Sequence, residues 1–470
     1  MRPLRPAAVF IQVFTFATGF LIAASLVISL RMLISYVGTS LDVRTVMTGS
    51  FLLALAAGVN FAGRILPGKA ALRAILRRDF MVILIALLVG LSLLSLSFIF
   101  VSLYQVGVIS VLLRAVVYAL IFLVPLGFCL GRAGALLLRA SPVPVHGLAV
   151  ALIGTSFGVA VPLLLTMPVL GVNLTVMLLL AFTAVLLDAV SRRVTIKQRA
   201  LVVLLVLAGF AMNSNVVLGL MGIVSQNAHN TVAVTTTAEG GKSLLINSYP
   251  ADGYQPDKDD AGQITAKAEA FLLTPASSPR DILVLGNPGL TFGRNDTTDR
   301  LTYVQDDPAF KEVVAKTFLG AEAGDNKSFV SAPLRGYIKD AVTDGRQYDA
   351  IYVDALNGAV WLPDDLVSTD AFMALRRLLK PDGAVVVTTY ASPNFANRYS
   401  LDLDAAFRSA FPVATRFPVM TDREGITPVS NGAPLLLSSY LYIGYARTAS
   451  PAPRDVTNGG VWNKPPSRDR

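Results

Sequence analysis

The sequence predicts two domains of different class: a multi-span α-helical membrane domain of about seven helices, followed by an α/β domain with a doubly wound sheet. Three observations carry this. Of 31 Asp and Glu residues, only Asp42, Asp79 and Asp188 precede residue 223, against 16 Lys and Arg in that stretch. Long apolar runs fill the same stretch. From about 223 to 446, short β-type runs alternate with helical ones. The net charge of +9 therefore divides into +13 before residue 223 and −4 after it. That is a membrane region with basic loops joined to a mildly acidic soluble domain, not a nucleic-acid footprint, and no nucleic-acid partner is expected. The expected domains are 1–222, 223–446 and a tail, 447–470, whose Pro, Arg, Asn and Gly with few apolar anchors predict disorder.

Seven apolar runs precede residue 223, near 8–30, 45–66, 80–104, 107–131, 143–170, 172–190 and 199–220. Each can cross a hydrocarbon core that needs about 20 helical residues, and only helices satisfy their own backbone there. The lipid bilayer is thus the first expected partner. The first run is too long for a signal peptide and lacks a small-residue cleavage site, so it reads as a retained helix. The fifth and sixth runs are nearly continuous; the Gly171-Val172-Asn173 turn after Pro168 divides them.

Loop charges set the orientation. Arg2 and Arg5, then Arg64, Lys69, Arg73, Arg77 and Arg78, then Arg132 and Arg139, then Arg192, Arg193, Lys197 and Arg199 fall on alternate segments that share one side. The opposite side has Arg31 and Arg44. With an odd number of crossings, the N-terminus is cytoplasmic, the chain is multi-pass in a bacterial inner membrane, and the C-terminal domain is periplasmic or extracellular.

Polar residues inside the runs have two readings each. Arg114 is a functional candidate or a side chain snorkelling to an interface. Gln12, Asn60, Asn213 and Asn215 line a cavity or bond between helices. Gly58, Gly63, Gly154 and Gly158 allow close helix approach. Nothing resembles a carboxylate relay, so a transporter is unsupported. One cysteine, Cys129, and two histidines, His146 and His229, leave no intrachain disulfide and no zinc site of thiolate or histidine type; no metal is expected.

In the soluble part, Thr231–Thr236 and Ser243–Asn247 read as a hairpin and Ala261–Leu273 as a helix. Strands follow at Asp281–Gly286, Leu301–Gln305, Ser328–Ala332, Tyr348–Asp354, Gly383–Tyr390 and Tyr440–Ala446. Helices are expected at Phe310–Phe318, Phe372–Leu379 and Leu401–Phe411.

Four motifs stand in order among these elements: Ile282-Leu-Val-Leu-Gly286-Asn-Pro-Gly289-Leu-Thr-Phe292; Tyr303-Val-Gln-Asp-Asp307-Pro308; Tyr348-Asp-Ala-Ile-Tyr-Val-Asp354-Ala355; and Leu362-Pro363 followed by Leu366, Thr369, Phe372 and Leu378-Leu-Lys-Pro-Asp-Gly383. Together they resemble the spermidine synthase (polyamine aminopropyltransferase) family, a branch of the class I methyltransferase-like fold, over roughly 225–446. Fusion to a multi-span region is similar to the membrane-bound spermidine synthase-like proteins of bacteria.

The resemblance implies a donor site of the decarboxylated S-adenosylmethionine or S-adenosylmethionine type, with Gly286 and Gly289 approaching the ligand. Gln305 stands where the family has a ribose-binding glutamate, and an amide cannot offer two carboxylate acceptors. Ala332-Pro333 replaces the family's adenine-binding Gly-Asp pair. Asn357 takes the place of the aspartate that strips a proton from the attacking amine, and it has no useful basicity. His229, in the segment that carries a tyrosine in the family, is a stacking group or base, or a plain linker histidine. Asp306 and Asp307 before Pro308 bind a ligand or start a helix. Asp354, at the C-terminal edge of a central strand, reads as functional; Asp364 and Asp365 read as solvated.

The candidate catalytic residues are therefore Asp354, Asn357 and His229, and the candidate cofactor residues Gly286, Gly289, Gln305 and Asp307. The leading expectation is a catalytically degenerate synthase-like domain that binds a small molecule of polyamine or nucleoside type, or a membrane or periplasmic protein partner. Export supports it, because adenosyl donors are cytosolic. The alternatives are an active membrane-anchored aminopropyl- or methyl-transferase and a transporter with an accessory outer domain; fold analogy does not decide among them.

Overall fold

In the computed structural model the described residues are 6–447 except 38–40, 65–68, 109, 192–194, 228–229, 238–239, 248, 256–259, 262, 274–277, 321–323, 356–361, 364, 393–394, 396, 420–428, 431–432 and 435–437. The chain divides into two units, Met1–Thr231 and Val232–Arg470. The expected disordered tail, from residue 448 on, lies outside the described residues.

Apolar sequence in the first unit builds α1 (Pro6–Val37), α2 (Leu41–Gly63), α3 (Lys69–Leu91), α4 (Leu93–Gln105), α5 (Val111–Tyr118) and α6 (Val124–Ala140). A π turn, Ala119–Leu123, joins the last two. Then come α7 (Pro144–Ala160), a second π turn (Val161–Thr166), α8 (Met167–Val190), α9 (Ile196–Met212), α10 (Asn215–Leu220) and a short extended segment, β1 (Ile223–Gln226).

The expected single run at 80–104 is broken: α3 and α4 meet at Ser92 with a bend of 67°. Asn213 satisfies the break. Its Oδ1 accepts from Leu93 N at 3.1 Å and its Nδ2 donates to Ser92 Oγ at 3.2 Å, so this asparagine bonds between helices. At Gly171 the backbone leaves helical geometry with φ 81°. Thr175 Oγ1 donates to Thr166 Oγ1 at 3.0 Å, although nine helical residues span about 13.5 Å. The chain therefore turns back at Gly171. Among the described residues, five helical stretches are long and apolar enough to cross a membrane, or six with the bent pair; the stretch 144–190, expected as two, counts there as one.

Two helix pairs meet through glycine. A Cβ on Gly154 would lie 2.2 Å from Phe16 O, and one on Gly158 2.3 Å from Phe20 O, which brings α7 onto α1. Gly58 and Gly131 bring α2 and α6 together in the same way, each 2.1 Å from a facing carbonyl. Small residues at such crossings let the two backbones come close enough for extensive dispersion contact. Gly63 is different: its nearest neighbour is Arg139 Nη2 at 3.8 Å, so it makes no close approach.

Most basic residues expected in loops lie on helices instead: Arg44 on α2, Lys69, Arg73, Arg77 and Arg78 on α3, Arg139 on α6, and Lys197 and Arg199 on α9. Two more are drawn into the packing between elements. Arg132 lies in α6, where its Nε donates to Oδ2 of the fully buried Asp79 on α3 at 3.0 Å and its guanidinium stands 5.3 Å from the Phe128 ring centre. Arg31 is buried in α1 and donates through Nη2 to Asn227 O at 2.7 Å. Arg114 is partly buried in the first turn of α5, just after the Ser110 cap.

The second unit opens with an antiparallel meander of β2 (Thr231–Thr236), β3 (Lys242–Ile246), β4 (Tyr249–Gln255) and β5 (Asp260–Ala261). The expected hairpin is its first pair. Pro250, Asp252 and Gly253 disfavour a strand by propensity, which is why β4 is not evident in the sequence. The main sheet is built from β6 (Asp281–Gly286), β7 (Arg300–Gln305), β8 (Lys327–Ser331), β9 (Tyr348–Asp354), β10 (Leu379–Ala391), β11 (Ala414–Val419) and the later β14 (Ser438–Tyr445). A two-residue pair, β12 (Val429–Ser430) and β13 (Ala433–Pro434), precedes β14. Helices α11 (Gln263–Leu272), α12 (Ala309–Val313, continued by a π turn to Leu319), α13 (Leu334–Thr343), α14 (Thr369–Arg377) and α15 (Arg398–Ala410) connect the strands. Sequence reading missed α13 and β11; in α13 the buried Leu334, Tyr337, Ile338 and Ala341 repeat at helical spacing.

The strand order is β11-β14-β10-β9-β6-β7-β8. The β6, β7, β8, β9 and β10 pairings are parallel, and β14 runs antiparallel to both β10 and β11. Ile282–Leu285 lies beside Ala350–Val353 at the centre. Leu283, Leu285, Ile351 and Val353 face one core while Ile282, Val284, Ala350 and Tyr352 face the other, as a strand covered on both faces requires. The chain moves from β6 out through β7 to β8, then returns to place β9 on the other side of β6. That reversal is the switch point where ligands bind in such sheets.

Candidate functional site

The carboxyl ends of β6 and β9 carry the site. Gly286 and Asp354 are register partners at those ends. Gly286 has φ 83°, and a Cβ there would lie 2.2 Å from Asp354 O, so only glycine lets the chain leave β6 against β9. Asn287 N then donates to Asp354 O at 2.8 Å, and Asn287 itself takes a positive φ of 55°, a region that asparagine tolerates better than most residues.

This turn aims the Asn287 amide at two acids. Nδ2 lies 3.2 Å from Asp354 Oδ2 and 3.3 Å from Asp252 Oδ2, while Oδ1 accepts from Phe292 N at 3.0 Å. Asp252 comes from β4 and is held by the Thr291 hydroxyl and by Gly253 N at 2.8 Å. Glu269 on α11 accepts from Gly293 N at 2.6 Å and pins the far end of the glycine loop. Phe292 stacks on Tyr352 with ring centres 4.4 Å apart, forming the floor.

Burial governs the electrostatics. Burial, with the neighbouring Asp354 carboxylate adding to it, pushes the Asp252 carboxyl up to about 7, against the Thr291 and Gly253 hydrogen bonds. Burial pushes Asp354 up to about 6, the Asn287 amide and the Tyr352 hydroxyl acting the other way. Two acids that share one donor in a desolvated site resist double ionisation. Such a pair can hold a proton near neutral pH or accept hydrogen bonds from an ammonium group.

The structure brings Gly286, Gly289 and Asp354 together, with Gln305 at their edge. Gln305 is buried, and its Nε2 donates back to Gly286 O. Asp307 is fully buried where α12 begins, its carbonyl accepting from Phe310 N at 3.3 Å, which is a helix-starting position. His229 and Asn357 lie outside the described residues. Asp252, Asn287 and Thr291 escaped the sequence reading. The pair Asp252-Gly253 resembles any hairpin turn, and nothing local shows that this turn folds over the glycine loop.

An adenosyl-type donor needs the space over the glycine loop and acceptors at the end of β7. A Cβ on Gly289 would lie 2.1 Å from Asp252 Oδ2, so the space that glycine leaves is filled by the Asp252 carboxylate. Gln305 points its amide at the backbone, and Pro333, in the place of the adenine-binding acid, caps α13. The residues present do not fit the donor in this arrangement.

The chain is similar in sequence to polyamine aminopropyltransferases. A polyamine aminopropyltransferase of Pyrobaculum calidifontis is 23% identical over 248 residues, covering 51% of this chain and 82% of the relative. One of Pyrobaculum arsenaticum is 24% identical over 206 residues, 42% of this chain and 69% of the relative. Among solved structures, a probable spermidine synthase from Corynebacterium glutamicum matches at 17% identity and a TM-score of 0.38, over 47% of this chain and 78% of that one. No protein-family model matches the chain. The chain thus has a spermidine synthase-like, methyltransferase-like fold after its apolar helices.

Proposed function

We propose that this chain is an integral membrane protein whose spermidine synthase-like unit has lost aminopropyl transfer and binds a cationic amine at Asp252 and Asp354. The observation that carries the loss is the Asp252 carboxylate filling the space left by Gly289. Gln305, bonded to Gly286 O, adds to it by withdrawing the side chain that would hold a ribose. Two acids converging on one amide supply acceptors for an ammonium group. A charge-assisted bond contributes about 1.5–3 kcal/mol.

The membrane reading is supported by where apolar surface is exposed. Among the described residues, large exposed apolar side chains run from Val9 to Val224, and beyond Val224 only Met373 and Leu401 join them. So many exposed apolar side chains in one unit call for a non-aqueous neighbour. Basic residues clustered near alternate helix ends favour an N-terminus in the cytoplasm and the second unit outside, away from cytosolic adenosyl donors.

The test uses the full chain in detergent. Decarboxylated S-adenosylmethionine with putrescine yields no spermidine, whereas spermidine alone binds by calorimetry and Asp354→Asn removes the binding. Turnover of the unmodified chain overturns the loss of catalysis. Spermidine binding that survives both Asp354→Asn and Asp252→Asn overturns the site.

A further inference from the structure

In the first unit, α3, α8 and α9 line an open cavity of about 1140 Å³. Its lining is residues 74, 77–78 and 81–82 on α3, 181, 184–185 and 187–189 on α8 with Ser191 just after it, and 198–199, 202–203 and 206–207 on α9. On α3 and α9 that spacing is one continuous helical face. The polar members gather at one end, where α3 and α9 begin and α8 finishes. Arg77, Arg78 and Arg199 stand there, all exposed. One carboxylate of the lining competes: Asp188 Oδ1 accepts from Arg199 Nε at 3.2 Å, and both side chains are more than half exposed; Asp79, the other acid near Arg78, is paired with Arg132. Beyond this end the walls are apolar, with Val82, Val203 and Leu207 among them. From Arg199 to Leu207 the groove runs about 12 Å along α9.

We propose that this groove is a binding site for an anionic diacyl phospholipid, its phosphate held by Arg77, Arg78 and Arg199 and its acyl chains laid along α9. Three guanidinium groups against one carboxylate leave an excess of positive charge at the mouth. An apolar trough open to its surroundings continues from that mouth into the helical unit. A water-soluble phosphate would satisfy the first feature and leave the second bare; a zwitterionic lipid would satisfy the second and not the first. Arginine forks suit phosphate oxygens, and basic pockets between membrane helices on the cytoplasmic side take anionic headgroups. The proposal rests on the membrane reading above, since it places the arginines at the cytoplasmic leaflet.

The full chain is extracted from membranes in mild detergent, exchanged into mixed micelles of phosphatidylglycerol and phosphatidylcholine, and examined by native mass spectrometry. Wild type retains phosphatidylglycerol in preference to phosphatidylcholine. The Arg77→Gln, Arg78→Gln, Arg199→Gln triple variant loses that preference by about tenfold or more. Val203→Trp, which fills the trough and leaves the arginines in place, loses retained lipid of both kinds. Equal retention of the two lipids by wild type, or an unchanged preference in the triple variant that still elutes as a monodisperse species, overturns the site. Displacement of the lipid by glycerol phosphate at equal concentration overturns the acyl component. A chain that carbonate washes from the membrane fraction overturns the membrane reading as well, whereas an embedded chain without preference overturns the groove alone.

Discussion

The Asp252 carboxylate stands where a side chain on Gly289 would have to go, with Oδ2 2.1 Å from that Cβ position. A loop whose glycine would admit a ligand instead admits a side chain of its own unit. Asp252→Gly vacates that space, and it should raise affinity for S-adenosylmethionine by about tenfold or more, at about 1.4 kcal/mol per decade. Equilibrium dialysis with labelled ligand measures it. No gain would mean that Gln305 and Pro333 set the barrier rather than Asp252.

The two acids make the stability of the second unit depend on pH. Asp252 at about 7 and Asp354 at about 6 hold protons in the folded state that an unfolded aspartate, at about 3.9, has released. Between about pH 4 and 7 the folded state binds more protons, so stability falls as pH rises through that window. The contribution is fully present below about pH 4 and gone above about pH 7. Protection of the β6 and β9 amides, taken relative to intrinsic exchange at each pH, should fall across this range, and Asp252→Asn should flatten that fall. Protection that rises with pH would contradict the raised values.

Gly286→Ala tests the crossing of β6 and β9. The methyl would press on Asp354 O and hold a positive φ that alanine disfavours, at a cost of more than about 2 kcal/mol. Spermidine binding should fall with folding. A variant with unchanged exchange protection would show that the turn relaxes without strain.

Orientation can be read with one introduced thiol. The native Cys129 is buried, so background labelling is low, and Asp382 is 84% exposed at its side chain. In intact cells Asp382→Cys should react with an impermeant maleimide. Labelling that appears only after lysis would place the second unit inside and return it to the compartment of adenosyl donors.

The two-part architecture was legible in the sequence because its cause is local. A run of apolar residues makes a lipid-compatible helix whatever surrounds it, and alternating apolar strands and helices announce a sheet covered on both faces. Gly286, Gly289 and Asp354 could be named for the same reason, since they mark where a strand ends and a turn must follow. The turn at Gly171 was visible too.

Other features depended on groups far apart in the chain. Asp252 reaches the glycine loop only because a poorly strand-forming segment is held as β4 by its neighbour β3. The amide of Asn213 meets Ser92 across more than a hundred residues, and so breaks a run that reads as one helix. Arg132 reads as a loop charge until Asp79 is placed beside it on another helix. Propensity and periodicity report what a segment does by itself; whether a glycine's empty space admits a ligand or a carboxylate is decided by which distant side chain packs there first.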